Sequence, residues 1–319
     1  MIKRFLSNKI GMIGLVVIVA NIVIAILAPL FATHDPLAIN LEMMAVAPST
    51  DNWFGTDEYG RDIYSRVIYG SRISLYISLL SVITATIVGG VLGAVTGFFS
   101  GLVDDLIMRL MDALMSFPAI LLAIGILAAL GPNLYNVVLA LGIVYTPRFA
   151  RLVRGSVLSL REKEYVEASR ALGNGDLYII FRHILPNCTA PIIVQATACL
   201  AYAILAEAAL SFLGLGAPPP APSWGNILSE ARNFMMDNPM MTVFPGLAIS
   251  LAGWNSAAKA RTRAETEAEK SKLLNTYLSD MLEAPDPWVD GREVKVVDLL
   301  EQASRNLDET LGDQPEVAA

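Results

Sequence analysis

The feature that most constrains this chain is a series of apolar runs long enough, or nearly long enough, to cross a bilayer. The runs are Ile10–Phe31, Ile73–Phe99, Ser116–Leu130, Tyr135–Phe149, Cys188–Leu213 and Met240–Trp254. A transmembrane helix needs about 20 apolar residues, so the shorter runs fit only with tilt or embedded ends. Charged residues make up 17% of the chain, against about 25% in soluble domains. The sequence therefore predicts an all-α polytopic membrane protein with about six transmembrane helices.

The two terminal runs are less regular than the others. Lys3, Arg4 and Lys9 precede Ile10–Phe31, as basic residues precede the apolar core of a signal peptide. The run is longer than such a core and ends in Pro29-Leu30-Phe31, which favours a retained helix. Met240–Trp254 would form only about 22 Å of helix, so we expect an atypical or truncated sixth span.

The distribution of basic side chains predicts the orientation in the membrane. Seven of them cluster around the segment that joins the fourth and fifth runs: Arg148, Arg151, Arg154, Arg161, Lys163, Arg170 and Arg182. Cytoplasmic loops of membrane proteins carry an excess of Lys and Arg. With the N-terminus inside, the inside segments hold eleven Lys and Arg and the outside loops hold four. We expect both termini, and the segment 160–187, in the cytoplasm.

The segment 160–187 contains the polar stretch YVEASRALGNGDLYIIFRHILP, residues 165–186. The stretch opens with Glu167-Ala168-Ser169, and the small side chains of Ala168 and Ala171 would let another surface approach a short helix closely. Gly173 can adopt the left-handed conformation that ends helices, and Pro186 should end or restart the second helix. The pattern predicts helix, glycine stop, helix, proline stop.

This stretch resembles the EAA loop of ABC-importer permeases. Glu167-Ala168, Gly173 and Leu185-Pro186 match at the family's spacing, whereas Ser169 replaces an alanine and His183 replaces an isoleucine. Three further stretches resemble the dipeptide/oligopeptide/nickel branch: WFGTDEYGRDIYSRVIYGSRISL (53–75), ILAEAALSFLGLG (204–216) and TVFPGLAI (242–249).

The resemblance covers residues 1–250 and implies a type I importer permease fold and a transport subunit, not an enzyme. It implies that Glu167, Ala168, Ser169, Gly173, Leu185 and Pro186 couple the chain to a separate ATPase. The expected partners are a second permease in a heterodimer, two ATPase subunits, an external substrate-binding protein and the lipid bilayer, without nucleic acid. The expected location is a bacterial or archaeal cytoplasmic membrane. The solute stays open between a peptide, a nickel complex and another molecule.

Three features within the apolar runs and loops carry alternative readings. Gly89, Gly93 and Gly97 recur every four residues, so they predict close helix packing, with pore lining as the alternative. Glu207 is a carboxylate at membrane depth. It could form a hydrogen bond between helices, line the translocation passage or lie at the membrane interface. The charged stretch from Asp57 to Asp62 is predicted to be a solvated loop rather than a catalytic carboxylate cluster.

Motifs for other chemistry do not occur in the sequence. There is no GxxxxGK[ST] phosphate-binding loop, and His34 and His183 are the only histidines. Cys188 and Cys199 would lie about 16 Å apart on one helix, beyond disulfide reach, and are expected to be buried apolar residues. We predict no catalytic residue, metal site or cofactor, and an intramembrane enzyme has no candidate constellation.

Residues 251–319 differ in character from the rest of the chain. They hold 8 Lys and Arg against 14 Asp and Glu, whereas residues 1–250 hold 15 against 16. We expect an acidic, helical, cytoplasmic tail that is foreign to the family. It weakly resembles the segment after the transmembrane helix of bacterial Ser/Thr kinases with tetratricopeptide repeats. The alternative function is therefore a membrane signalling or scaffold protein formed by fusion of a permease fragment with a kinase-derived tail.

Overall fold

The computed structural model describes residues 19–236 and 238–253, and within these ranges every regular element is helical. Helix α1 covers 19–26 and, after a turn, Ala28–Phe31. The longer helices that follow are α2 (Ile63–Phe98), α3 (Leu102–Ser116), α4 (Ala119–Leu130) and α5 (Leu134–Leu160). The remaining helices are α6 (Glu164–Ala171), α7 (Asp176–Ile179), α8 (Thr189–Phe212), α9 (Trp224–Ala231) and α10 (Met240–Gly253). The all-α prediction is confirmed.

Three helical runs of the described chain are long and apolar enough to cross a membrane: Ile63–Phe98, Leu134–Leu160 and Asp176–Phe212. The pair α3 and α4 makes a fourth if it is counted as one span, although its two helices are bent by 97°. The predicted sixth span is the short apolar helix α10. The predicted first span lies partly outside the described residues.

The boundaries of several predicted spans are wrong. Helix α2 begins at Ile63 rather than Ile73, because the side chain of Asp62 accepts a hydrogen bond from the Ser65 amide and starts the helix there. The segment between the second and third predicted runs, which belongs to neither, forms most of helix α3. Its carboxylates bind α5, since Arg154 contacts Asp104 in a bidentate pair at 2.6 Å, and most of its apolar side chains stay exposed.

Helices α2 and α5 form the closest helix pair of the described chain. A Cβ built on Gly89 would lie 2.6 Å from the Thr146 carbonyl oxygen, and one on Gly97 would lie 2.7 Å from the Val157 Cβ. A Cβ on Gly93 would overlap the Ala150 carbonyl oxygen. Contacts advance along both helices together, so α2 and α5 run in the same direction. The glycine face is therefore the surface through which their backbones touch.

Helices α2 and α5 connect two regions of the described chain. We call the region around the start of α2, where α9 packs, the α9 end, and the region where α2 and α5 end, next to α6, the α6 end. At the start of α2, Trp224 of α9 donates a hydrogen bond from its indole nitrogen to the Val67 carbonyl oxygen at 2.9 Å. At the other extreme, Arg161 follows α5 and donates to the Gly97 carbonyl oxygen at 3.1 Å. Helix α8 lies beside them and contributes Cys199, Ala203 and Leu210 to the central apolar core.

The glycine contact predicts how substitutions on α2 affect stability. Gly93→Ala should lower the thermal unfolding midpoint, because its methyl group would collide with α5 backbone, and overpacking costs about 1–3 kcal/mol. Gly90→Ala is the matched control, since a Cβ there meets no atom within 4 Å. The midpoints are measured by size-exclusion chromatography of heated, detergent-solubilised protein. Equal midpoints for the two variants would contradict the packing role.

Candidate functional site

The predicted coupling segment is held at the α6 end by one buried face of its first helix. Val166 is fully buried, and it packs in an apolar cluster with Val153 and Val157 of α5 and Ile184. Ser169 is also buried, whereas Glu167 and Ala168 are exposed. Val166 and Ser169 are three residues apart and so share a face. Helix α6 therefore presents its acidic, small-residue face outward.

A tight turn after α6 fixes the direction in which the chain leaves the helix. Gly173 has a φ of 80°, the left-handed region that favours glycine. Its amide donates to the Arg170 carbonyl oxygen at 3.0 Å, and the Asn174 amide group donates to Ser169 Oγ at 3.0 Å. The predicted glycine turn is present at this position.

Large apolar side chains are exposed on α6 and in the segment that follows it. They are Tyr165, Leu172, Leu177, Tyr178 and Phe181, which we call the apolar ring. Leu172 at the tip is 82% exposed. Sequence reasoning did not single out these residues, although two of them flank Gly173-Asn174-Gly175-Asp176. Exposed apolar side chains close in sequence to an exposed acid, Glu167, suit a groove on another protein.

Pro186 lies at a restart of the helix, which is one of the two outcomes that the sequence predicted. Residues Asp176–Phe212 form one helical run that passes through a π-helical turn, Ile180–Ile184, and a 3-10 turn, Leu185–Cys188, before α8. Pro186 sits at the start of the 3-10 turn, where the missing amide hydrogen breaks no regular α-helical bond. The proline thus changes the helix geometry without ending the helix, and the coupling segment continues directly into α8.

Ion pairs join α5 to α3 at the α6 end. Arg154 binds Asp104, Arg151 binds Asp112 at 2.5 Å, and Arg161 donates to Ser100 Oγ at 2.5 Å. Part of the basic cluster that predicted the orientation is therefore neutralised by α3. The pairs tie the helix that leads into α6 to the ends of α2 and α3.

Glu207 lies in the contact between α8, α2 and α9. Its side chain is fully buried, and its Oε1 accepts a hydrogen bond from Ser211 Oγ at 2.7 Å. Ser74 of α2 accepts a hydrogen bond from the Trp224 amide at 3.3 Å in the same contact, and the Gly225 backbone packs against Ala208 and Ser211. In this conformation Glu207 is enclosed by packed helices.

A buried cluster of charges occupies the α9 end, where the sequence predicted a solvated loop. Arg61 Nε lies 2.7 Å from Asp57 Oδ2, and Arg61 Nη2 lies 2.8 Å from Glu230 Oε2. Arg66 contacts the same two carboxylates at 3.3 and 2.8 Å, and its side chain is 1% exposed. We call Asp57, Arg61, Arg66 and Glu230 the ion cluster. The segment is a loop as predicted, but the prediction that it is solvated is wrong, because Glu230, far away in sequence, covers the arginines.

Burial and the neighbouring arginines act in opposite directions on the pKa of Glu230 in the ion cluster. Burial raises the pKa of the Glu230 carboxyl above its usual value, while the nearby charges of Arg66 and Arg61 act to lower it. Each carboxylate is already engaged by guanidinium groups, so neither is free to act as a general base. The cluster holds the loop that precedes α2 against α9.

Comparison with known proteins gives two family matches. The model of the binding-protein-dependent transport system inner membrane component matches residues 89–254. The model of the N-terminal TM domain of oligopeptide transport permease C matches residues 1–48.

Several individual proteins are similar over most of the chain. A putative peptide transport system permease protein of Brucella abortus biovar 1 is 48% identical over 250 residues, which cover 78% of this chain and 84% of that protein. The dipeptide transport system permease protein of Alkalihalophilus pseudofirmus is 47% identical over 249 residues, 78% of this chain and 82% of its own. The glutathione transport system permease protein of Shigella flexneri serotype 5b is 44% identical, with coverage of 78% and 82%.

A solved structure has the same fold. It is an inward-facing conformation of the MetNI methionine ABC transporter, with a TM-score of 0.50 and 19% sequence identity. The match covers 62% of this chain and 95% of that chain.

Proposed function

We infer that this chain, which belongs to the family of binding-protein-dependent transport system inner membrane components, is the permease subunit of an ATP-driven ABC importer. It is a multi-pass membrane protein with a type I importer permease fold. The observation that carries the proposed mechanism is the exposed face of α6, which bears Glu167 and is close in sequence to the exposed side chains of the apolar ring. The buried side chain of Val166 holds this helix against α5.

A separate ATPase subunit is the partner that this surface fits. The ring offers exposed apolar area, and Glu167 offers one charge to fix the orientation of docking. Helix α6 follows α5 directly, and the turn at Gly173 leads through α7 into α8. A displacement of α6 by the ATPase would therefore move two long helices at once. This connection supports a coupling role for Glu167, Ala168, Ser169, Gly173, Leu185 and Pro186.

The rest of the assembly follows from the family. We propose a heterodimer with a second permease subunit, two ATPase subunits and an external substrate-binding protein, with this chain forming half of the translocation pathway. The α6 end and both termini would face the cytoplasm, since that orientation places eleven of the fifteen basic residues of 1–250 inside. The ion cluster would then lie outside, on the side of the binding protein.

The transported solute is proposed to be a peptide or a related small molecule. The similar proteins named above are peptide, dipeptide and glutathione transport permeases. The signalling alternative depends on residues beyond 253, which lie outside the described ones, and nothing in 19–236 and 238–253 supports it.

The domain division remains part of the proposal: residues 1–250 form the permease domain with its coupling loop at 160–187, and 251–319 form an added tail. The charge shift after residue 250 supports it, as does the end of the family match at residue 254. Removal of residues 260–319 should leave co-purification with the partner permease unchanged. Loss of the partner on removal would contradict this division.

The coupling role predicts that Gly173→Val and Glu167→Lys each lower solute uptake by about tenfold or more. Valine in the left-handed conformation costs roughly 1–2 kcal/mol per residue, so the tip of the segment would reorient, while lysine reverses the charge at the docking face. Uptake and ATPase co-purification are measured in cells that produce all the partner subunits, with membrane levels of the chain held equal.

Two matched controls lie within the same segment. Gly175→Val should be tolerated because Gly175 has a φ of −71° and a Cβ there meets no atom within 4 Å. Glu164→Lys changes another exposed acid one turn earlier on α6. Normal uptake by both Gly173→Val and Glu167→Lys would sink the assignment.

A further inference from the structure

Arg148 is a cation at membrane depth with no carboxylate partner among residues 19–236 and 238–253. It lies within α5, about 21 Å along the helix from Leu134. The next two arginines on this helix, Arg151 and Arg154, are each paired with an aspartate of α3. The sequence analysis grouped Arg148 with these cytoplasmic charges, but the environment of its guanidinium differs from theirs.

Two tyrosine rings hold the Arg148 guanidinium away from the α6 end. Its Cζ lies 5.4 Å from the ring centroid of Tyr145, one turn earlier on α5, and 5.4 Å from that of Tyr202 on α8. Both distances fall within cation–π range. Tyr202 is about 20 Å along α8 from Thr189. The side chain therefore points toward the middle of the bilayer instead of extending to the nearer interface.

The surroundings of the guanidinium are polar and partly open. Tyr202 is 39% exposed, and Arg148 is itself partly exposed. On α8, Gln195, Cys199 and Tyr202 share one face by their spacing, and the Gln195 amide donates to Cys199 Sγ at 3.3 Å. A cation on a lipid-facing surface at this depth is costly, so such residues face a protein interior or a water-filled path.

We propose that Arg148 and Tyr202 form a carboxylate-binding site in the translocation pathway, which the carboxylate of the transported solute occupies in passing. Both rings lie within cation–π distance of the guanidinium, and no carboxylate of the described residues occupies its N–H donors. A planar fork of donors matches a carboxylate in a bidentate pair. The proposal rests on the proposed import function and narrows it to solutes that carry a carboxylate.

The site is tested through the reactivity of Tyr202→Cys in the assembled importer in lipid nanodiscs. The probes are an anionic sulfonatoethyl and a cationic trimethylammonioethyl methanethiosulfonate, applied with and without ATP. We expect the anionic probe to react about tenfold faster than the cationic one, the scale on which local charge concentrates ions. Adding Arg148→Gln should bring the ratio close to one.

The controls separate this site from charge elsewhere in the chain. Arg72→Gln in the Tyr202→Cys background removes an arginine that also stacks on a tyrosine, Tyr69 at 5.8 Å, and should leave the ratio unchanged. The chain without Tyr202→Cys measures the reactivity of Cys188 and Cys199, which are buried. An unreactive Cys at 202 in both nucleotide states, or a ratio that Arg148→Gln does not change, would overturn the proposal.

A second measurement distinguishes the carboxylate of the solute from one on the partner permease. Arg148→Gln should lower uptake of labelled alanyl-alanine about tenfold, with Arg148→Lys less affected and co-purification of the partner permease unchanged. If Arg148→Gln releases the partner permease, an acid of that subunit occupies the site and the proposal is wrong. If the unaltered chain imports no peptide, the proposed function fails instead, and the labelling ratio still decides the carboxylate site.

Discussion

The close approach of α2 and α5 is the contact on which the rest of the structure depends. Glycines at every fourth position remove the side chains that would separate the helices, so Gly93 meets the α5 backbone directly. Because the two helices run in parallel, the pair connects the ion cluster at the start of α2 with α6, which follows the end of α5. A shift of α6 would thus be transmitted along a rigid pair rather than absorbed within loops.

The charges of the chain are distributed in three ways that have different physical meanings. Arg61 and Arg66 are neutralised by buried carboxylates, so they add little to the positive charge of the loops at their end. Arg151 and Arg154 are paired with aspartates of α3 and hold the part of α5 that leads toward α6. Arg148 alone among these five has no carboxylate partner in the described residues, and it lies within cation–π distance of Tyr145 and Tyr202. A count of basic residues predicts an orientation but does not separate these roles.

The sequence predicted the helical class, the family and the turn at Gly173, because apolar runs and short motifs are local signals. It missed what depends on distant partners. The ion cluster could not be predicted, since Arg61 and Glu230 are 169 positions apart and a charged loop usually lies in water. The sequence allowed a restart at Pro186, but it did not predict the π-helical and 3-10 turns through which the chain continues into α8. The sequence marked Glu207 as a carboxylate at membrane depth and left three environments open, and its enclosure by α2 and α9 is visible only in the packed helices.

The central claim is that the α6 end and the α9 end lie on opposite faces of the membrane, with α6 in the cytoplasm. Single cysteines at Asp51→Cys and Asn174→Cys test it most directly, with the unaltered chain as the control for Cys188 and Cys199. In intact cells, an impermeant thiol reagent should label the cysteine at 51 and leave the one at 174 unlabelled until the membrane is permeabilised. Labelling at 174 but not at 51 in intact cells would contradict the account, because α6 would then face away from ATP.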